Sequence, residues 1–189
     1  MIQRPDTRQA LLDAAIDVVS QHGVDGTSLR DVCSRVGVRL PTLYHFYGDK
    51  QGLLDAVLAA SLERYLRDKR GLKPTNDPRA DLRRGWDLHV RFAQRNPAIY
   101  QLMFRPGEPS EATRRSLELL RAGFDQLAGA GALRAGVTAE LATRSLSAAL
   151  RGVATTISQS PDHRGNARLS KTVRDAVIDA LLDEEVAGR

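Results

Sequence analysis

The chain is short of the residues that cross-link small proteins, bind metals or span membranes. It has one cysteine, Cys33, in 189 residues, so no intrachain disulfide can form and a cysteine-rich zinc site is excluded. That usage suits a reducing compartment. The four histidines, His22, His45, His89 and His163, are far apart and show neither HxxxH nor HExxH spacing. No segment approaches the ~18 uninterrupted apolar residues of a membrane span. The opening "MIQRPDTRQALLDAA" lacks the apolar run of a signal-peptide core. A cytoplasmic protein with no membrane partner is therefore expected. Enzyme signatures are missing too. There is no GxSxG nucleophile elbow. "GAGALRAG" (residues 129–136) is glycine-rich, but no strand precedes it and its spacing is neither GxGxxG nor a P-loop. "SPDHRG" sets Asp162 beside His163 with no nucleophile nearby. No enzymatic activity, cofactor or metal is expected.

Strand alternation is almost as scarce, whereas helical periodicity appears nearly everywhere. The expected fold is all-α, with about nine helices. The first covers Asp6 to His22, with Ala10, Leu11, Ala14, Ala15, Val18 and Val19 repeating at three and four, and Gly23 stops it. Thr27 or Ser28 caps a short second helix, which ends at Gly37. A third begins at Leu40 or Pro41 and closes at Tyr47–Gly48. Asp49 caps a long fourth helix, Lys50 to Lys69. "GLKPTNDPR" (residues 71–79) is rich in breakers and marks a candidate linker. Helix five follows from Arg79 to Arg95, and a short sixth starts at Asn96-Pro97 and ends before Arg105-Pro106-Gly107. The seventh spans Ser110 to Ala128, the eighth Thr138 to Ser158 and the ninth Leu169 to Glu185.

Aromatics are few: four tyrosines, four phenylalanines and one tryptophan. Yet Tyr44, Phe46 and Tyr47 crowd into "VGVRLPTLYHFYGDK", residues 36–50. Two short helices joined by a tight turn and braced by a longer one describe a helix-turn-helix, whose second short helix enters the major groove. On that helix Leu43 and Phe46 share a face suited to packing inward, Tyr44 and Tyr47 share a second, and Thr42 and His45 a third. So short a helix cannot bury all three, and one must present hydroxyl and imidazole groups outward, suited to phosphate oxygens. Net charge is +5 with a pI near 9.8, which permits a nucleic-acid partner without requiring one. Within residues 1–52, Arg4, Arg8, Arg30, Arg35, Arg39 and Lys50 are matched by Asp6, Asp13, Asp17, Asp25, Asp31 and Asp49. The reading thus rests on where donors sit and not on a basic excess. Cys33 falls on the apolar face of the second helix and reads as a packed core thiol.

Residues 7 to 58 resemble the DNA-binding domain of the tetracycline-repressor family of bacterial regulators. "ALLDAAIDVVSQHGVDGTSLRDV" and "GVRLPTLYHFYGDKQGLLDAVL" carry the likeness: an alanine-rich first helix, Gly then Thr-Ser, the Gly-Val turn, a Thr-Leu-Tyr helix, and Lys three residues past the closing aromatic. The resemblance implies a helix-turn-helix domain at 1–52, connected by the fourth helix (50–69) to an effector-binding and dimerisation domain at 53–189. It implies that Thr42, after Pro41, touches bases, with Leu40 beside it making apolar contact. It matches Tyr44 and Lys50 to phosphate-binding positions, Arg30 to one that reads guanine in some members, and Thr27 and Ser28 to backbone-contacting ones. Phe46 stands where the family often has His or Tyr, and His45 is the neighbouring donor. Tyr47 stands where Phe is usual. Arg39 replaces a frequent Ser cap and adds a cation.

In the remaining sequence, "NPAIYQLMF" resembles a stretch found in a sub-class of the family's C-terminal domains. Trp86, His89, Tyr100, Met103, Phe104 and Phe124 are candidate walls of a cavity for an apolar or aromatic effector; the competing reading is that they fill the core. Helices eight and nine are apolar on more than one side. Two such helices from each of two chains would form a two-fold four-helix contact, with Ala148, Ala149, Gly152 and Ala154 allowing close approach. The expectation is a homodimeric regulator, most readily a repressor, on a near-palindromic site in double-stranded DNA, with the fourth helix as the lever between sites. The alternative is a helical protein-binding adaptor without DNA affinity.

Overall fold

Side-chain caps and left-handed glycines set most helix ends in the first third of the chain. The computed structural model describes residues 6–104 and 109–183. Helix α1 spans Thr7–His22, and the Asp6 carboxylate caps it by accepting the Arg8 N–H at 3.1 Å. Helix α2 spans Leu29–Val36 and is capped by Ser28, whose hydroxyl accepts the Asp31 N–H at 3.3 Å; such a cap stabilises by about 1 kcal/mol. Gly37 closes α2 at φ 74°, ψ 29°, the left-handed region that a side chain resists. Helix α3 spans Leu40–Tyr47 with Arg39 at its N-cap and no side-chain capping bond. Pro41 falls in its first turn, where the missing amide costs nothing. Helix α4 runs Lys50–Arg70, and Asp49 accepts the Gly52 N–H at 2.8 Å. The α3–α4 corner is tight. A Cβ on Gly52 would lie 2.0 Å from the Tyr47 carbonyl oxygen, so only glycine fits there.

Helix α5 spans Pro78–Arg95, α6 Pro97–Leu102, α7 Glu111–Gly129, α8 Ala139–Gln159 and α9 Asn166–Leu181. Thr138 caps α8 through the Leu141 N–H. Helix α9 starts earlier than the periodicity predicts. The side chain of Asn166 donates to the Ser160 and Pro161 carbonyls, at 2.7 and 3.1 Å, which folds the end of the polar segment into the helix. Glu185, Arg4 and the Arg105-Pro106-Gly107 stop lie outside the described residues. Among the described residues the only extended pairing is an isolated antiparallel bridge, Leu133 with Leu182. No helix of these residues is long and apolar enough to cross a membrane.

The chain divides into two compact units, Met1–Arg64 with Asn96–Ala112, and Tyr65–Arg95 with Thr113–Arg189. This division differs from both sequence-based boundaries, the one at residue 52 and the one at the 71–79 linker. Two physical reasons account for it. Helix α6 packs on α1 within the first unit, burying Ile99, Tyr100 and Leu102. The linker, in turn, is organised within the second unit. Asp81 accepts from the Thr75 amide and hydroxyl at 2.8 and 2.7 Å, and Arg84 donates to the Lys73 carbonyl at 2.7 Å.

The first unit is built around Leu11, Ala15, Val18, Val32, Leu43 and Leu53, each fully buried. Cys33 is buried, and burial pushes its thiol pKa up. In the second unit α5, α7, α8 and α9 share a core that includes Trp86, Phe124, Leu146, Leu150, Ile157 and Ile178. The Trp86 indole donates to Ser170 at 2.9 Å. A charged seam joins α5 to α9. Arg83 meets Asp175 at 3.1 Å, and Arg174 meets Asp87 at 2.8 Å and Asp175 at 3.0 Å. Hydrogen bonds from Lys171 and Arg174, opposed by partial burial and helped by Arg83, hold the Asp175 carboxyl well below the usual carboxylate range.

Candidate nucleic-acid interface and ligand cavity

On α3 the inward pair is Leu43 and Tyr47, four residues apart and both buried. This corrects the sequence expectation, which set Leu43 with Phe46 and left Tyr47 beside Tyr44. The reason is a long-range bond. The Tyr47 hydroxyl donates to the Arg8 carbonyl at 2.5 Å, anchoring α3 to α1, and the Arg8 guanidinium lies 5.8 Å from its ring centroid. Burial, only partly offset by Arg8, raises the Tyr47 pKa, so the hydroxyl stays a donor. Phe46 is half-buried and meets His45 edge to face at 5.1 Å.

What faces outward is then Pro41, Tyr44 and His45, with Thr42 and Leu40 half-buried at the start of the helix. Tyr44 is 45% exposed, a large area for an aromatic ring. Arg30 and Arg39 are exposed and Lys50 is half-buried. None of these three makes an ion pair among the described residues. The acids around them are engaged: Asp31 pairs with Arg35 at 3.2 Å, and Asp6 and Asp49 cap helices. Ser28 is exposed, but Thr27 does not join the set. It is 4% exposed and its hydroxyl donates to the Gly23 carbonyl at 2.7 Å, a bond internal to the α1–α2 turn.

The second unit holds a cavity of about 440 Å³ lined by the end of α4, the 71–79 segment, α5, α7 and α8. Trp86 and Phe124 line it. His89 is not among its walls. Its Nδ1 instead lies 3.0 Å from the hydroxyl of Tyr65, which is. Burial first, and the nearby Lys69 ammonium second, push the His89 pKa down to about 4, so the ring is neutral at physiological pH. Tyr100, Met103 and Phe104 belong to the first unit and do not line this cavity; Tyr100 and Phe104 meet edge to face at 5.1 Å. The sequence reading missed Tyr65, Lys69, Arg84, Leu119 and Gly123 as lining residues. Leu119 and Gly123 lie off the apolar stripe that periodicity marks on α7, and the polar members follow no pattern that sequence spacing reveals.

Outward-facing small residues distinguish α8. Ala148 and Gly152 are exposed on the side away from Leu146, Leu150 and Val153. A Cβ on Gly152 would meet nothing within 4 Å. Leu141 on the same helix is 49% exposed, and Leu169 on α9 is 37% exposed.

Comparison with known proteins gives concordant results. Residues 11–57 match the family model described as bacterial regulatory proteins, tetR family. Residues 82–184, more than half the chain, match the tetracyclin repressor-like C-terminal domain. The HTH-type transcriptional repressor ComR of Escherichia coli is 41% identical over 58 residues, 31% of this chain and 28% of that protein. The HTH-type transcriptional regulator BetI of Paraburkholderia phymatum is 34% identical over 82 residues, 40% of each. The chain thus aligns with well under half the length of either. Among solved structures, SmeT, the repressor of the Stenotrophomonas maltophilia multidrug efflux pump SmeDEF, superposes with a TM-score of 0.78 at 23% identity, over 96% of this chain and 93% of that one.

Proposed function

Because the chain belongs to the tetR family of bacterial regulatory proteins, we propose that it is a sequence-specific transcriptional regulator, a repressor, acting as a homodimer on a near-palindromic site in double-stranded DNA. It would release that site when a small molecule binds. The observation that carries this reading is the outward surface of α3 and its surroundings. Tyr44 and His45 are exposed beside Arg30, Arg39 and Lys50, three cations without a counter-charge among the described residues. Such groups suit phosphate oxygens. Thr42 would contact a base edge through its methyl or hydroxyl, and the fork of Arg30 suits guanine. Lys50, at the first residue of α4, adds a helix N-terminus to its own charge.

The exposed small residues of α8, with Leu141 and Leu169, support a two-fold contact through α8 and α9. A dimer presents two α3 helices to successive grooves. For effector response, α4 carries Lys50 at one end and the cavity-lining Tyr65 and Lys69 near the other. A ligand that favours one position of this helix would change DNA affinity by its differential affinity for the two states. Regulation without enzymatic chemistry follows from the same reading.

Selection of the purified protein on random duplex DNA, at two salt concentrations, tests it. A near-palindromic consensus is expected, with affinity falling as salt rises. A folded dimer that enriches no sequence would overturn the proposal in favour of a protein-binding adaptor.

A further inference from the structure

Lys69 has no business in an apolar cavity unless something there answers its charge. It lies in the last turns of α4, is half-buried, and lines the cavity. It makes no hydrogen bond or ion pair among the described residues. Burial lowers its pKa, and its charge adds to the burial that holds His89 neutral. A second donor stands in the same wall. Arg84 spends one terminal nitrogen on the Lys73 carbonyl and on Asp81, at 2.7 and 2.5 Å, but its Nε is buried without an acceptor. Asp81 is the one carboxylate among the lining residues, and both its oxygens are engaged, by Thr75 and by Arg84. Arg70 adds a third cation. Most of the remaining wall is apolar, Leu82, Trp86, Leu120, Phe124, Leu146 and Leu150 among it, with Tyr65, Thr75 and Gln126 as its other polar members.

Buried cations without partners are costly. An apolar cavity with an unanswered ammonium and an unanswered guanidinium N–H is complementary to an acid with an apolar body. We infer that the cavity binds an amphipathic carboxylate, its head group on Lys69 and Arg84 Nε and its hydrocarbon part among the leucines, Trp86 and Phe124. Two donors match the two oxygens of one carboxylate. The volume, about 440 Å³, is in the range of pockets for drug-sized molecules. The inference names the effector class of the regulator proposed above and rests on that reading only for its effect on DNA.

Calorimetric titration of the full chain with two matched series tests it: decanoate, decanol and decylamine, and naphthoate with naphthol. In at least one series the carboxylate is expected to bind at least about tenfold tighter than the alcohol, the worth of one hydrogen bond to a charged group. Lys69→Met should abolish that preference while leaving the thermal midpoint equal or higher, because the substitution removes a half-buried, unpaired charge. Lys69→Arg should restore the preference. Equal binding of acid and alcohol in both series, a preference kept in Lys69→Met, tighter binding of decylamine, or no binding of any probe would each overturn the inference. Adding the preferred acid to the complex with the selected DNA separates the two proposals. Acid binding by a protein that selects no DNA overturns the regulator reading alone. DNA selection without an acid preference overturns the cavity assignment alone.

Discussion

His89 should make the second unit sensitive to mild acid. Its pKa in the fold is about 4 against an ordinary value of 6.5, chiefly from burial and secondarily from Lys69. Tyr65 meets Nδ1 at 3.0 Å, and burial raises the Tyr65 pKa, so its hydroxyl stays protonated and pairs with the neutral ring, the tautomer setting which of the two donates. As pH falls from 6.5 to 4, the unfolded chain takes up a proton at this position and the native one does not. Stability therefore rises with pH across that window and is lost on acidification. Between pH 7 and pH 5 the loss from this one group is about 2 kcal/mol per protomer. Asp175 does not enter the same window. Its carboxyl is depressed below 3.8, so its contribution is complete above 3.8 and disappears only as pH falls below that. Urea unfolding of the wild type and His89→Gln at pH 7 and pH 5, at fixed protomer concentration, measures the difference. The glutamine offers Tyr65 an acceptor or a donor but has no titration. The wild type should lose about 2 kcal/mol more than the variant, as a shift in midpoint with unchanged slope. Equal losses would refute the claim that His89 is held neutral by its surroundings.

Other substitutions test separate steps. Tyr47→Phe removes the hydroxyl that binds the Arg8 carbonyl and should cost about 1 kcal/mol of stability; the selected DNA sequence should not change. Gly152→Arg should abolish the dimer in sedimentation while the protomer gains helix propensity, up to about 1 kcal/mol, because its Cβ meets nothing within 4 Å; a variant that stays dimeric would place the interface elsewhere. Lys50→Ala should weaken binding on all DNA sequences and lower the salt slope by about one, whereas Thr42→Ala should relax preference at one base position by about 1 kcal/mol or more.

The all-α class and the helix-turn-helix were legible because they depend on local chemistry. Apolar spacing at three and four places Leu11, Ala15 and Val18 on one face whatever lies opposite. Ser28, Asp49, Gly23 and Gly37 act within a turn of their own positions. What the sequence could not decide was which of several apolar or aromatic residues turns inward. Leu43 with Phe46, or Leu43 with Tyr47, are equally good helical neighbours. A carbonyl on α1, thirty-nine positions away in sequence, selects Tyr47. The same holds for the cavity. Trp86 and Phe124 stood out by size, but Tyr100 and Met103 have the same composition and lie in the other unit, because α6 packs on α1. In the sequence Lys69 marks only the end of the fourth helix. Only the packing of α5, α7 and α8 around the end of α4 makes it a half-buried charge without a partner. Periodicity reports which side of a helix is apolar, and tertiary packing decides what each polar atom is given to bind.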